Sequence, residues 1–140
     1  MNIVQMDTTS VAILVIAQIM EYGGIKMSMK NKIQTELRKL PKIGTNDETE
    51  LEDIVVPLKL FNPCGAGTWY LYEYDPKDNV GFGFCKLYDP QFAELGYVSI
   101  TEAIEAIEAQ PFHLSLEIDL NYTPMKLKEI MDITHSGKHV

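Results

Sequence analysis

Residues 62–76 read Asn62-Pro63-Cys64-Gly65-Ala66-Gly67-Thr68-Trp69-Tyr70-Leu71-Tyr72-Glu73-Tyr74-Asp75-Pro76. A turn rich in Pro and Gly opens directly into Thr68–Tyr74, a run of β-prone side chains that includes the sole Trp. Strand alternation sends Trp69, Leu71 and Glu73 to one side and Thr68, Tyr70, Tyr72 and Tyr74 to the other. Apolar or amphipathic side chains on both sides predict a central strand covered above and below. Glu73 is the anomaly, a carboxylate aimed the same way as Trp69 and Leu71.

Downstream, Asp75-Pro76-Lys77-Asp78-Asn79 is turn chemistry, so Val80–Tyr88 is expected to return antiparallel as a hairpin. Gly81 and Gly83 alternate there with Phe82 and Phe84, which leaves one side of that strand open to close approach. The run is no phosphate loop, because it lacks the third Gly, the Lys and a following helix. Glu94–Ile100 reads as a further short strand. Ser99-Ile100-Thr101-Glu102 fits a capping box that opens a helix over Glu102–Gln110, closed by Pro111. Phe112–Tyr122 has the cleanest alternation in the chain. Phe112, Leu114, Leu116, Ile118, Leu120 and Tyr122 form one side of it, and the segment reads as a sheet strand or an extended arm. A short helix over Met125–Ile133 follows, and Thr134–Val140 reads as a frayed end.

Upstream, Ile54–Phe61 is an apolar strand whose Pro57 lacks a backbone donor and so marks an edge or a bulge. Gly44–Asp53 carries five carboxylates and no base, and is expected to be the mobile segment. Lys30–Leu40 is amphipathic at helical spacing, with Ile33, Leu37 and Leu40 on one stripe and Lys30, Lys32, Arg38 and Lys39 on a solvated side. Val11–Met20 is strongly apolar, but shorter than the roughly 20 residues a membrane span requires. Two readings of residues 1–26 stand side by side. They form either a buried helix capped at Thr9 or Ser10, or an extension upstream of a true start at Met27.

The chain has 140 residues, 46% hydrophobic and 23% charged, which suits one folded domain and argues against disorder. A net charge of −8 argues against direct nucleic-acid binding, which needs clustered Lys and Arg, and suits a partner with a basic surface. Cys64 and Cys85 have no metal-type spacing, so reduced thiols in the cytoplasm are expected. The fold predicted is a single α+β domain, mainly an antiparallel sheet flanked by short helices. Residues 27–134 are its globular part and 135–140 its tail.

Several ordered motifs carry a family likeness. They are Pro57-Leu58-Lys59-Leu60-Phe61-Asn62-Pro63, Thr68-Trp69-Tyr70, Glu73-Tyr74-Asp75, Phe82-Gly83, Glu94-Leu95-Gly96-Tyr97-Val98-Ser99 and Glu117-Ile118-Asp119-Leu120. The series resembles a family of short bacterial proteins known only as a domain of unknown function, common on plasmids and phages. The likeness runs from about Met29 to Leu127 and leaves residues 1–26 outside. The family usually has a basic residue where this chain has Ile118. The resemblance implies a mobile-element setting and no known catalytic mechanism.

Two function classes follow from these residues. The first is a non-enzymatic accessory protein that occupies a basic surface on a host nucleic-acid-binding protein. An anti-defence inhibitor, such as an anti-CRISPR or antirestriction protein acting on a nuclease, is the example. Asp47, Glu48, Glu50 and Glu52 with Glu102, Glu105 and Glu108 would form its contact surface. The second is a small carboxylate-dependent, metal-assisted hydrolase. It would draw on Glu73, Glu117 and Asp119 with Cys64 or His113, and on Asp75 and Glu94 as further acids. Its requirement is that these groups line one pocket. No cofactor and no resident metal are expected.

Overall fold

In the computed structural model, which describes residues 28–140, the Thr68–Asp75 strand lies third of five in one antiparallel sheet. The elements in chain order are helix α1 (Met29–Leu37), strands β1 (Val55–Val56), β2 (Leu58–Phe61), β3 (Thr68–Asp75), β4 (Val80–Lys86) and β5 (Glu94–Ser99), helix α2 (Ile100–Glu108), strands β6 (Glu117–Ile118) and β7 (Met125–Lys126), and helix α3 (Leu127–His135). The order across the sheet is β5-β4-β3-β2-β6, and β1 pairs with β7 in a separate two-stranded ribbon. Helices and antiparallel sheets together make this an α+β domain, as the sequence predicts. Ile33–Val140 form one compact unit. Both readings of residues 1–26 lie outside the described residues.

Pro57 divides the strand expected over Ile54–Phe61. Val55–Val56 turns to β7, while Leu58–Phe61 joins the main sheet between β3 and β6. The 75–79 turn closes the β3–β4 hairpin as predicted: Asp75 Oδ1 accepts from Lys77 N at 2.9 Å, and Asn79 takes a positive φ of 55°. Around Asn79 three elements meet. Its side chain bonds the Tyr74 hydroxyl, Gln34 of α1 at 3.3 Å and Thr101 of α2 at 3.0 Å. Its carbonyl accepts from Ile100 N at 3.0 Å. Ser99 caps α2, accepting from Glu102 N at 3.2 Å.

The core on the α3 side joins Leu127 and Ile130 to Tyr70, Tyr72, Phe84, Ile54 and Val56. Ile33 and Leu37 of α1 and Ile100 and Ile107 of α2 are also buried. Each such side chain contributes about 1.5–3 kcal/mol in transfer from water.

Three expectations are corrected. A bulge between Leu71 and Glu73 breaks the alternation of β3. Glu73 lies opposite Phe82, on the Tyr70, Tyr72 and Phe84 side, and not with Trp69 and Leu71. Of the two readings of Phe112–Tyr122, the sheet strand does not form: only Glu117–Ile118 pairs, while Phe112, Leu114 and Leu120 are exposed. The end of the chain is packed, since α3 continues to His135 and Thr134 is buried. Gly137 stops the helix in a left-handed conformation, with its N–H on Thr134 O and Lys138 N–H on Ile133 O. Val140 then returns to the core.

Candidate functional site

Leu58-Lys59-Leu60 sits inside the sheet, so the Lys59 stem is buried along with its apolar neighbours and its ammonium needs acceptors. It finds two. Nζ lies 3.0 Å from Asp119 Oδ2 and donates to the Val140 backbone oxygen at 2.7 Å. It also stands 5.7 Å from the centre of the Tyr70 ring. Asp119 is positioned by the end of β6, where its own N–H bonds Lys59 O at 3.0 Å and its Oδ1 accepts from Asn121 N at 2.9 Å. The hydrogen bond from Lys59 holds the Asp119 carboxyl below the usual carboxylate range, more than burial raises it.

These groups border a cavity of about 290 Å³, shared with Asn62, Gly67, Thr68 and His139. Lys86 Nζ is 3.4 Å from His139 Nδ1 at its margin. Burial, then Lys59 and Lys86, push the His139 pKa down. Burial and Lys59 do the same to Lys86. Beneath lies Tyr70, whose pKa burial and Asp119 push up to about 12, so it stays protonated at neutral pH. Its hydroxyl is buried without a protein partner. Asp119, tied to a buried lysine, is poorly placed to take a proton from a substrate.

The other candidate acids sit elsewhere. Glu73 is 1% exposed and acts as a peg. Its Oε1 accepts from Gly44 N at 2.9 Å, and its Oε2 from Asn46 N at 2.7 Å and Asn46 Nδ2 at 3.0 Å. Glu117 is half-buried opposite Phe61, Asp75 ends β3 and Glu94 starts β5. Cys64 lies in the 62–67 turn, its N–H on Asn62 Oδ1 at 2.7 Å. His113 is exposed beside Glu108 and Ser115. The Cys85 thiol is pushed up to about 11, first by burial and then by Glu94. Among the described residues no group of three or more His, Cys, Asp or Glu could hold a metal ion. Of the proposed hydrolase set, Asp119 lines the cavity, and Glu117 and Cys64 neighbour its lining residues Phe61 and Asn62, whereas Glu73 is spent on Gly44 and Asn46 and His113 lies beside Glu108 and Ser115.

The acids expected to face a partner are exposed: Asp47, Glu48, Glu50 and Glu52 on the arm between α1 and β1, and Glu102, Glu105 and Glu108 on α2. The arm is not the loose segment that its composition suggests. Pro41 O accepts from Tyr74 N at 2.9 Å, Glu73 fixes Gly44 and Asn46, and the 51–53 turn packs on α3. α2 instead continues directly from β5, an edge strand of the sheet.

The motif series has a counterpart among known families. Residues 21–137 match the family described as protein of unknown function (DUF2958). The chain belongs to that family. The match is wider at both ends than the likeness visible by eye, which spans 29–127. No curated protein and no solved structure matches the chain. The DUF2958 description assigns no chemistry, so the residues themselves must carry the functional argument.

Sequence reasoning missed Lys59, Asn46 and Asn79. For Lys59 a signal existed, a lone cation between two apolar residues of a buried strand, which demands an anion elsewhere. Asn46 and Asn79 had none, because both act through partners far away in the chain.

Proposed function

We propose that this DUF2958 member is a non-catalytic binding protein whose acidic arm, Gly44–Asp53, occupies a basic surface on another protein. The observation that carries the reading is the Glu73 peg. A carboxylate buried in the central strand is committed to holding the backbone of Gly44 and Asn46, and that fixes the arm from which Asp47, Glu48, Glu50 and Glu52 project. An arm ordered before binding loses less conformational entropy on association than a free loop. Rows of carboxylate on it would sit where nucleic-acid phosphates normally dock, and would speed the encounter electrostatically.

The partner class is a nucleic-acid-binding protein, and a host defence nuclease fits the mobile-element setting that the resemblance implies. Glu102, Glu105 and Glu108 on α2 are a second acidic row on another element, and the primary contact is assigned to the arm.

Capture of partners from a host lysate, with the wild type and with Asp47, Glu48, Glu50 and Glu52 changed to Ser, tests the reading. The expected result is a basic partner retained by the wild type and lost from the variant and at raised salt. Equal capture by the neutralised variant would rule out the acidic-arm mechanism.

A further inference from the structure

β5 is an edge strand of the main sheet. Edges of this kind are normally guarded by Lys, Pro or a bulge. Between Leu95 and Val98 this one carries no charge and no Pro, and its pairing with β4 runs without a register shift. An aromatic row leads to it across the sheet. Tyr72 and Phe82 meet edge-on at 5.7 Å between ring centres, and Phe82 and Tyr97 follow at 4.9 Å. The row begins buried, with Tyr72 at 4% exposure, and ends at Tyr97 with 66% of its surface in water. Tyr97 and Leu95 border one groove with Leu87, Tyr88 and Phe92, which are 47%, 84% and 79% exposed. Exposed apolar residues scattered singly need no explanation, but five around one groove at a sheet edge do.

We propose that two copies of this chain associate through β5, antiparallel about Gly96, so that their two sheets become one. Three features favour a second copy as the occupant. The first is register. In antiparallel pairing the outward N–H and C=O groups come from alternate residues, so a strand meets its own copy only about a residue. Centred on Gly96, Leu95 of each copy faces Tyr97 of the other, which extends the aromatic row across the dyad on the same side of both sheets. Gly96 meets Gly96 on the opposite side, where neither has a side chain to clash.

The second feature is charge. This register sets Glu94 against Val98, so the two β5 carboxylates do not face each other across the dyad, even though Asp89 also borders the groove and each chain carries a net −8. The third is area. At ~200 Å² per large apolar side chain, the exposed parts of the five residues amount to roughly 600 Å² per copy. Roughly 1,200 Å² for the pair reaches the lower bound of stable interfaces, before any backbone contribution.

Sedimentation equilibrium on the full chain is the test. The expected result is a concentration-dependent shift from 15.9 kDa to twice that mass. Tyr97→Lys and Leu95→Lys should each leave only monomer, with circular dichroism confirming that the fold is kept. Should a Lys variant fail to fold, Tyr97→Thr keeps a strand-forming residue while removing the ring, and should weaken association at least tenfold. Because the copies carry like charge, added salt should strengthen the dimer, the opposite of its effect on the arm's basic partner. A wild type that stays monomeric at hundreds of micromolar overturns the proposal, and so does a dimer indifferent to these substitutions.

Discussion

At Glu73 one carboxylate accepts three hydrogen bonds from two residues lying 27 and 29 positions upstream. Glu73→Gln keeps the shape but turns an amide N–H₂ toward backbone donors. Charge-assisted hydrogen bonds each contribute about 1.5–3 kcal/mol, so the loss expected in urea unfolding is about 2–3 kcal/mol. Hydrogen exchange should quicken at Gly44 and Asn46 before it does in the sheet. Unchanged protection there would show that the arm is held by something else. The Lys59–Asp119 pair makes a different prediction. Asp119→Asn leaves a 5%-exposed ammonium facing a neutral amide oxygen and the Val140 backbone oxygen in place of a carboxylate, at a cost of about 2–3 kcal/mol. Lys59→Met with Asp119→Leu should recover to within about 1 kcal/mol of the wild type, because no charge is then stranded. The pair also sets part of the acid limb. Asp119 has a lowered native pKa, so its contribution is complete above the ordinary carboxylate value and is lost as pH falls through the native one. In Asp119→Asn that portion of the acid transition should vanish.

Among the elements, the β3–β4 hairpin shows what alternation can and cannot give. Turn residues at 75–79 and β-prone runs on either side were legible, and the central position of β3 followed from its two apolar sides. The bulge at Tyr72 was not, because an extra residue leaves no mark in hydrophobic period and reverses every side assignment after it. The same limit applies to Phe112–Tyr122, where a clean period-2 pattern ends as one two-residue strand between exposed turns. Alternation reports what a segment could bury, and this one meets β2 only over Glu117–Asp119, opposite Phe61, Leu60 and Lys59. The glycines of β4 yield a graded prediction. A methyl at Gly83 would lie 1.9 Å from Tyr70 O and 2.8 Å from Leu71 Cα, which is backbone that cannot yield without breaking the β3–β4 ladder. At Gly81 the obstacle is the flexible end of Leu71, 2.8 Å away. Gly83→Ala should therefore cost at least about 3 kcal/mol in chemical denaturation, and Gly81→Ala about 1 kcal/mol. Equal costs would mean that the strand pairing at the bulge is not as described.

For the whole molecule, the question is whether net charge or placed charge would drive binding of a basic partner. Long-range steering depends on summed charge, whereas docking depends on where the carboxylates sit. Two variants separate these effects. Changing Asp47, Glu48, Glu50 and Glu52 to Ser takes the net charge from −8 to −4, and changing Glu102, Glu105 and Glu108 to Gln takes it from −8 to −5. The totals are close, but the carriers differ. The arm is fixed to the central strand β3 through Glu73, while α2 continues directly from the edge strand β5. If the arm makes the contact, the arm variant should lose affinity by at least about tenfold through faster dissociation, with only a modest fall in association rate. The α2 variant should show that modest fall alone. Surface plasmon resonance against the captured partner, at low and at physiological salt, reads both rates. Equal losses in the two variants, confined to association and erased by salt, would reduce the arm to one contributor to a diffuse negative field.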